Sequence, residues 1–277
     1  PLTQRSGYLE LSDSAGLDRT RHFVAFARGD SMDGGDDPIR HGDPLLFEWV
    51  RNVDRFQLVG ERVLVQQQQG ADVVTSLKRL TRDGGSYSLR SDNVAYEEIP
   101  GDASMRIVAR LVRRLSQEDV NPFADRIGTR LQRKGIAELF GTDFSPSFRQ
   151  SGYASFGSDA VLLVTLDKAN MEAGKDYIDA FESPTVFTWS SQASTAPDSK
   201  RGREVLDALA TGMRLHLWAK ADKPTREFEY CGLIVPIDHE GSQPMQVRFR
   251  LLTPLATESW LRFRQGAEDL GGNARQD

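Results

Sequence analysis

The chain has 277 residues, about right for two domains of ordinary size. Hydrophobic residues make up 39% and charged residues 27%, the balance of a soluble folded protein, and no apolar run nears the roughly 20 residues that span a bilayer. The 35 Lys and Arg against 40 Asp and Glu leave a net charge of −5, which neither points to nucleic acid nor excludes it, because binding depends on local patches.

A single cysteine, Cys231, excludes an internal disulfide framework and a multi-cysteine zinc site, and suits a reducing cytoplasm. The 4 histidines are scattered without ligand spacing, so neither a metal nor another cofactor is expected. No signal peptide is visible, and no membrane partner is expected. The chain begins at Pro1 rather than Met, which leaves room for a longer parent protein.

Taken in order, residues 20–115 read as β-rich. "RHFVAFAR" is a short strand. "ERVLVQQQQ" and "VVTSLKRL" form a hairpin about a "GAD" turn with Gly70, and "TRDGGSYSLRS" is a second hairpin with Asp-Gly at its turn. "MRIVARLVRRL" closes the region as a strand. Residues 116–145 read as a linker and a helix, with Ile127, Leu131, Ile136, Leu139 and Phe140 near one face and Gly141 as the stop. From residue 146 to 265, "AVLLVTLD", "PTVFTWSS", "RLHLWAKA", "FEYCGLIVPI" and "MQVRFRLL" read as strands. "DSKRGREVLDALATG" reads as a helix capped by Asp198 or Ser199. Residues 266–277 read as a disordered tail.

The segment "FARGDSMDGGDDPIRHGDPLLF" places Ser31 in a Gly- and Asp-rich turn. A serine hydroxyl becomes a nucleophile when a neighbouring base takes its proton, and a lysine serves if burial lowers its pKa. Lys78 in "VVTSLKRL" fits that need. Strand alternation puts Val74, Ser76 and Lys78 on one face. Asp30, Asp33, Asp36 and Asp37 suggest a calcium loop, but the EF-hand spacing fails and its terminal Glu is missing, so a solvated acidic loop is expected. His41 is expected at the surface.

Gly29-Asp30-Ser31-Met32, Gly42-Asp43, "VTSLKRL", "YSLRSDNVAYEEI" and "MRIVARLVRRL" resemble, in order, the segments of LexA/UmuD-type Ser/Lys peptidases. The resemblance covers about residues 20–115. It implies a LexA-like β fold over residues 1–115, with Ser31 as nucleophile, Lys78 as general base and backbone N–H groups around Ser31, including that of Met32, as the oxyanion hole. Self-cleaving relatives carry a scissile Ala-Gly or Cys-Gly well before the serine. Here Ala15-Gly16 stands only about 15 residues ahead of Ser31, so the substrate is another chain, a bond upstream of Pro1, or nothing at all. Relatives dimerise through a C-terminal strand, so a homodimer is an option.

In the second half, Phe187, Trp189 and Ser191 share a strand face, and Gln192 follows on the other. Aromatics beside hydroxyls and an amide can hold a flat polar ring, and equally can be core. Arg248 and Arg250 on "MQVRFRLL", with Lys200 and Arg201 at a helix start, can neutralise phosphates or line a solvated face. "TVFTWSSQASTAPDSKRGREVL" and "YCGLIVPIDHEGSQPMQVRFRLLTPL" resemble signature blocks of the bacterial domain of unknown function 3427, over about residues 130–258. That domain ends helicase–nuclease fusions. In SauUSI-type restriction enzymes it recognises the target and is similar to SRA and PUA-like folds that flip a modified cytosine.

The expectation is therefore a mostly β chain. A LexA-like peptidase domain precedes an α+β, SRA/PUA-like β-barrel that reads double-stranded DNA, modified at 5-methylcytosine or not, in defence or stress. A helicase or nuclease would act from the same parent chain or in trans. The rival readings are a non-catalytic LexA-like scaffold that targets such a nuclease, and a peptidase governed by a small nucleotide.

Overall fold

The computed structural model describes residues 17–18, 20–69, 72–102, 104–166, 179–222 and 224–268. The chain divides into two compact units between Val120 and Asn121. Among the described residues, no helix is long and apolar enough to cross a membrane.

The first unit is built on a seven-stranded sheet. Its strands are β1 (His22–Phe26), β2 (Pro44–Trp49), β3 (Arg62–Gln69), β4 (Asp72–Asp83), β5 (Ser86–Arg90), β6 (Ile99–Pro100) and β7 (Arg106–Arg114). They lie in the order β1-β2-β7-β3-β4-β5-β6, and every neighbouring pair is antiparallel. β3 alternates between two cores. Val63 and Val65 join Leu58, Leu80, Leu89 and Met105, while Leu64 packs against Met32, Leu45, Phe47 and Ala109. The expected turn residue Gly70 lies outside the described residues, and Asp72 already pairs with Gln69. In the second hairpin Asp83 pairs with Ser86, so the turn centres on Gly84 and Gly85. Both have positive φ, 54° and 95°, which side chains resist and glycine accepts. A short helix, α1 (Gln117–Val120), ends the unit.

The second unit carries β8 (Arg130–Gln132), β9 (Tyr153–Phe156), β10 (Asp159–Thr165), β11 (Ala180–Ser183), β12 (Val186–Ser190), β13 (Arg214–Lys220), β14 (Glu227–Glu240) and β15 (Gln246–Leu251). Its helices are α2 (Arg133–Leu139), α3 (Pro146–Gln150), α4 (Lys200–Leu206), α5 (Ala208–Thr211) and α6 (Thr257–Glu268). The sheet runs β11-β12-β15-β14-β13-β10-β9, with β8 added against β14. All pairs are antiparallel except β10 with β13.

The expected barrel is here an open sheet among the described residues. The reason is visible in "AVLLV". Ala160, Leu162 and Val164 face one core, with Val205 of α4, Ala208 of α5 and Phe263 of α6. Val161 and Leu163 face another, with Ile136 and Ala137 of α2 and Phe148 of α3. Helices cover both faces, so the central strands are apolar on both sides.

The long helix expected through Ile127 and Phe140 is shorter. Gly128 takes a left-handed φ of 88°, and Leu131 pairs with Phe228 as part of β8. Only Ile136 and Leu139 of the five expected face residues lie within α2, where Ile136 is core. Gly141 does stop it, at φ 60°, with its N–H on the Glu138 carbonyl at 3.0 Å. Ser199 caps α4 by accepting from Gly202 N at 3.1 Å. The proposed cleavage pair Ala15-Gly16 and residues 269–277 of the tail lie outside the described residues, whereas residues 266–268 end α6.

Candidate active site

A loop of residues 27–43 leaves β1 and returns to β2, and it is closed at its neck. Ala27 N donates to Asp43 O at 2.9 Å and Gly42 N to Ala27 O at 2.8 Å. Inside it, Gly29 turns at φ 77° and its N–H is accepted by His41 Nδ1 at 3.1 Å. His41 is thus half-buried against the turn rather than simply exposed. Met32 is 4% exposed, packs with Ile39, Leu45, Phe47 and Ala109, and accepts from Ile39 N at 2.9 Å. The apolar neighbour thereby anchors the turn that carries Ser31.

The other side of the turn is clamped by residues after β5. Asn93 N donates to Ser31 O at 3.1 Å, and Asn93 Nδ2 to Asp30 O at 3.1 Å. Gly34 passes so close to Asp92 that an added Cβ would lie 2.3 Å from its carbonyl oxygen. Asp92 is fixed in turn by Arg62 at 2.7 Å and Arg79 at 2.8 Å. These contacts come from "SDN", whose part in holding Ser31 was not read from the sequence. An asparagine following a strand looks like any turn residue.

Ser31 and Lys78, 47 residues apart, meet here. The Lys78 Nζ to Ser31 Oγ distance is 2.9 Å. Alternation along β4 buries Lys78 and Leu80, while Val73 and Val74 at its start are exposed. Lys78 is 8% exposed, and burial lowers its pKa below the ordinary lysine value. No carboxylate among the described residues pairs with it. The neighbouring Asp30 carboxylate instead accepts from the Tyr96 hydroxyl, which raises the Tyr96 pKa. The Tyr96 ring centroid stands 5.8 Å from Nζ. Among the described residues the N–H groups of Ser31 and Met32 have no backbone hydrogen-bond acceptor. Two of the other loop acids turn to arginines, Asp37 to Arg62 at 2.9 Å and Asp33 to Arg40 at 3.6 Å. Among the described residues no group of three His, Cys, Asp or Glu is arranged to hold a metal.

The residues expected to contact DNA stand differently. Phe187 is fully buried against Phe181, with ring centroids 4.8 Å apart, and Trp189 packs on Phe249 in the same core. Neither offers a free face for a base, which corrects the expected stacking platform. Ser191 is buried, with its hydroxyl accepting from Met245 N at 3.0 Å. Gln192 accepts from Arg201 at 2.6 Å, Arg201 also covers the Tyr153 ring, and Lys200 sits 3.8 Å from Glu204. Arg248 forms a two-pronged pair with Glu182, at 3.0 and 2.8 Å. Arg250 shares the Arg248 face of β15 and is half-buried.

No curated protein matches the chain. Residues 2–112 match the family described as Peptidase S24-like, in agreement with the LexA-like β fold of the first unit. Residues 126–263 match the domain of unknown function DUF3427. The chain therefore joins a Peptidase S24-like segment to a DUF3427 segment.

Proposed function

We infer that the first unit is a serine peptidase working through a Ser31/Lys78 dyad. The observation that carries this reading is the 2.9 Å contact between a buried lysine amine without a counter-charge and a serine on a clamped turn. With Lys78 neutral, Ser31 O–H donates to Nζ. Oγ attacks the carbonyl carbon of a peptide bond as Nζ takes the proton, and the oxyanion is met by the N–H groups of Ser31 and Met32. The Lys78 ammonium then protonates the departing amine, releasing one product. Lys78 next takes a proton from water, whose oxygen attacks the Ser31 ester; the C–Oγ bond breaks, the ammonium returns the proton to Oγ, and the acid leaves. The substrate is this chain itself or a partner protein, in a reducing cytoplasm.

The second unit is read as a recognition module on its match to DUF3427. Double-stranded DNA, methylated or not, and a helicase–nuclease remain its candidate partners in defence or stress. This reading no longer uses Phe187, Trp189 or Ser191 as base contacts. Binding that is equal for methylated and unmethylated duplexes would remove the modification from it.

Purified protein held from neutral to alkaline pH and followed by intact-mass measurement tests the dyad. New fragments of this chain, or of a supplied partner, are expected to appear faster as pH rises, because only the neutral amine is a base. The rate levels off above the lowered Lys78 pKa. Ser31→Ala should abolish both fragments and covalent labelling by a serine-directed probe. Fragments that persist in Ser31→Ala would sink the assignment.

A further inference from the structure

The second unit contains a cleft of about 400 Å³ that none of the expected sites includes. Its wall carries Arg133, Lys134, Lys220 and Arg226 and, among the described residues, no carboxylate, in a chain whose net charge is −5. Phe228 is also part of the wall. The Arg133 guanidinium and the Lys220 ammonium both lie over its ring, each 5.2 Å from the centroid.

Two cations over one ring repel each other. Burial lowers the Lys220 pKa first, and Arg133 lowers it further. The fold nonetheless fixes them there. Arg133 Nη1 donates to the carbonyls of Phe148 at 2.8 Å and Ser151 at 2.7 Å, which leaves Nε and Nη2 without acceptors among the described residues. Lys220 donates to the Thr225 carbonyl. Asp222 attracts Lys220 and also accepts from Thr225 N at 2.9 Å, and Glu138 lies 3.7 Å from Lys134 at the exposed rim. Arg133 has no carboxylate partner among the described residues. The ring face offsets only part of the repulsion, and an anion seated between the two cations would offset much more.

We propose that this cleft is a phosphate-binding site, with Arg133 and Lys220 clasping the phosphate beside the Phe228 ring and Arg226 and Lys134 at its rim. Several cations converging with the Thr165 and Thr225 side chains suit a group with up to two charges and several free oxygens, better than a carboxylate with one charge. The phosphate belongs either to a free ion or nucleotide, or to a polynucleotide backbone. The site stands independently of the peptidase reading and of any base-reading role.

The full chain is titrated with inorganic phosphate, a nucleoside monophosphate and a short DNA duplex at several salt concentrations. At least one probe is expected to bind, with Lys220→Gln weakening it tenfold or more and Arg226→Gln several-fold. For the duplex, each lost contact should lower the log–log salt slope by about one. Binding of phosphate or the monophosphate assigns a free ligand, and binding of the duplex alone assigns the backbone. Arg226 is exposed, so its variant decides the matter if Lys220→Gln does not fold. The proposal is overturned if no probe binds, or if the variants bind as tightly as the wild type.

Discussion

Lys78 on β4 and Arg248 on β15 are both cations on the strands of their units, and their surroundings make them opposites. Lys78 is buried without a counter-charge, and burial lowers its pKa. Arg248 is half-exposed and forked onto Glu182, which raises its pKa. The first arrangement favours the neutral amine, which is the cheaper state to bury. The second makes a strut between β15 and β11, with Nε and Nη2 both committed to Glu182. A cation's chemistry here follows from whether a carboxylate reaches it.

The largest effect that would sharpen this contrast comes from Lys78→Met. Cleavage should fall by about a thousandfold or more, since among the described residues Lys78 is the side chain in hydrogen-bond contact with Ser31 Oγ. The folded state should gain about 1 kcal/mol at neutral pH, because an apolar side chain of similar length replaces a charge that burial disfavours. The sign follows from the lowered folded pKa. Wild-type stability rises with pH between that value and the ordinary lysine value, where the unfolded chain holds the extra proton, and the variant lacks this rise. Activity assays with denaturant melts at two pH values check both halves.

Phe187→Ala would break the contrast from the other side. A core position predicts a loss of about 3–5 kcal/mol in the stability of the second unit, read by denaturant unfolding. A stable variant that has lost only ligand binding would restore the stacking platform. Gly34→Ala is a gentler probe of the nucleophile turn. Its methyl group has no room against the Asp92 carbonyl, so the turn must shift, and cleavage should fall by about 10- to 100-fold with little loss of secondary structure by circular dichroism. Arg248→Gln should do least, changing stability by less than about 1 kcal/mol, as for a surface ion pair, and leaving DNA affinity unchanged. A weakened duplex would return Arg248 to the binding surface.

The Ser31–Lys78 contact was legible because a Gly-bounded Ser-Met turn and a lysine placed by alternation on a strand stand in the order of the segments they resemble in Ser/Lys peptidases. The strand positions in both units were legible for the same reason of periodicity. What escaped were the partners. Asn93 holds Ser31 through backbone and amide contacts that leave no sequence pattern. Glu182 cannot be matched to Arg248 from 66 positions away without knowing that β11 and β12 return beside β15. The helical reading through Ile127 failed because apolar spacing says nothing of a left-handed Gly128 or of an edge strand recruiting Leu131. "VFTWS" was ambiguous because core aromatics and ligand-stacking aromatics share one alphabet, and only packing separates them.

The parallel contact between β10 and β13 has a consequence in time. It joins Asp159 to Arg214, 55 residues apart, and it lies one strand in from the β9 edge of the sheet. That stretch of chain must be gathered before the pair can form, and such non-local closure slows folding. The first unit holds a local hairpin, β3–β4, whose strands are separated by two residues, beside the longer closure of β2 on β7. Ribosomal synthesis also delivers the first unit earlier. Ser31 and Lys78, both supplied by the first unit, can therefore meet while the second sheet is still unfinished, once the strands through β7 have left the ribosome.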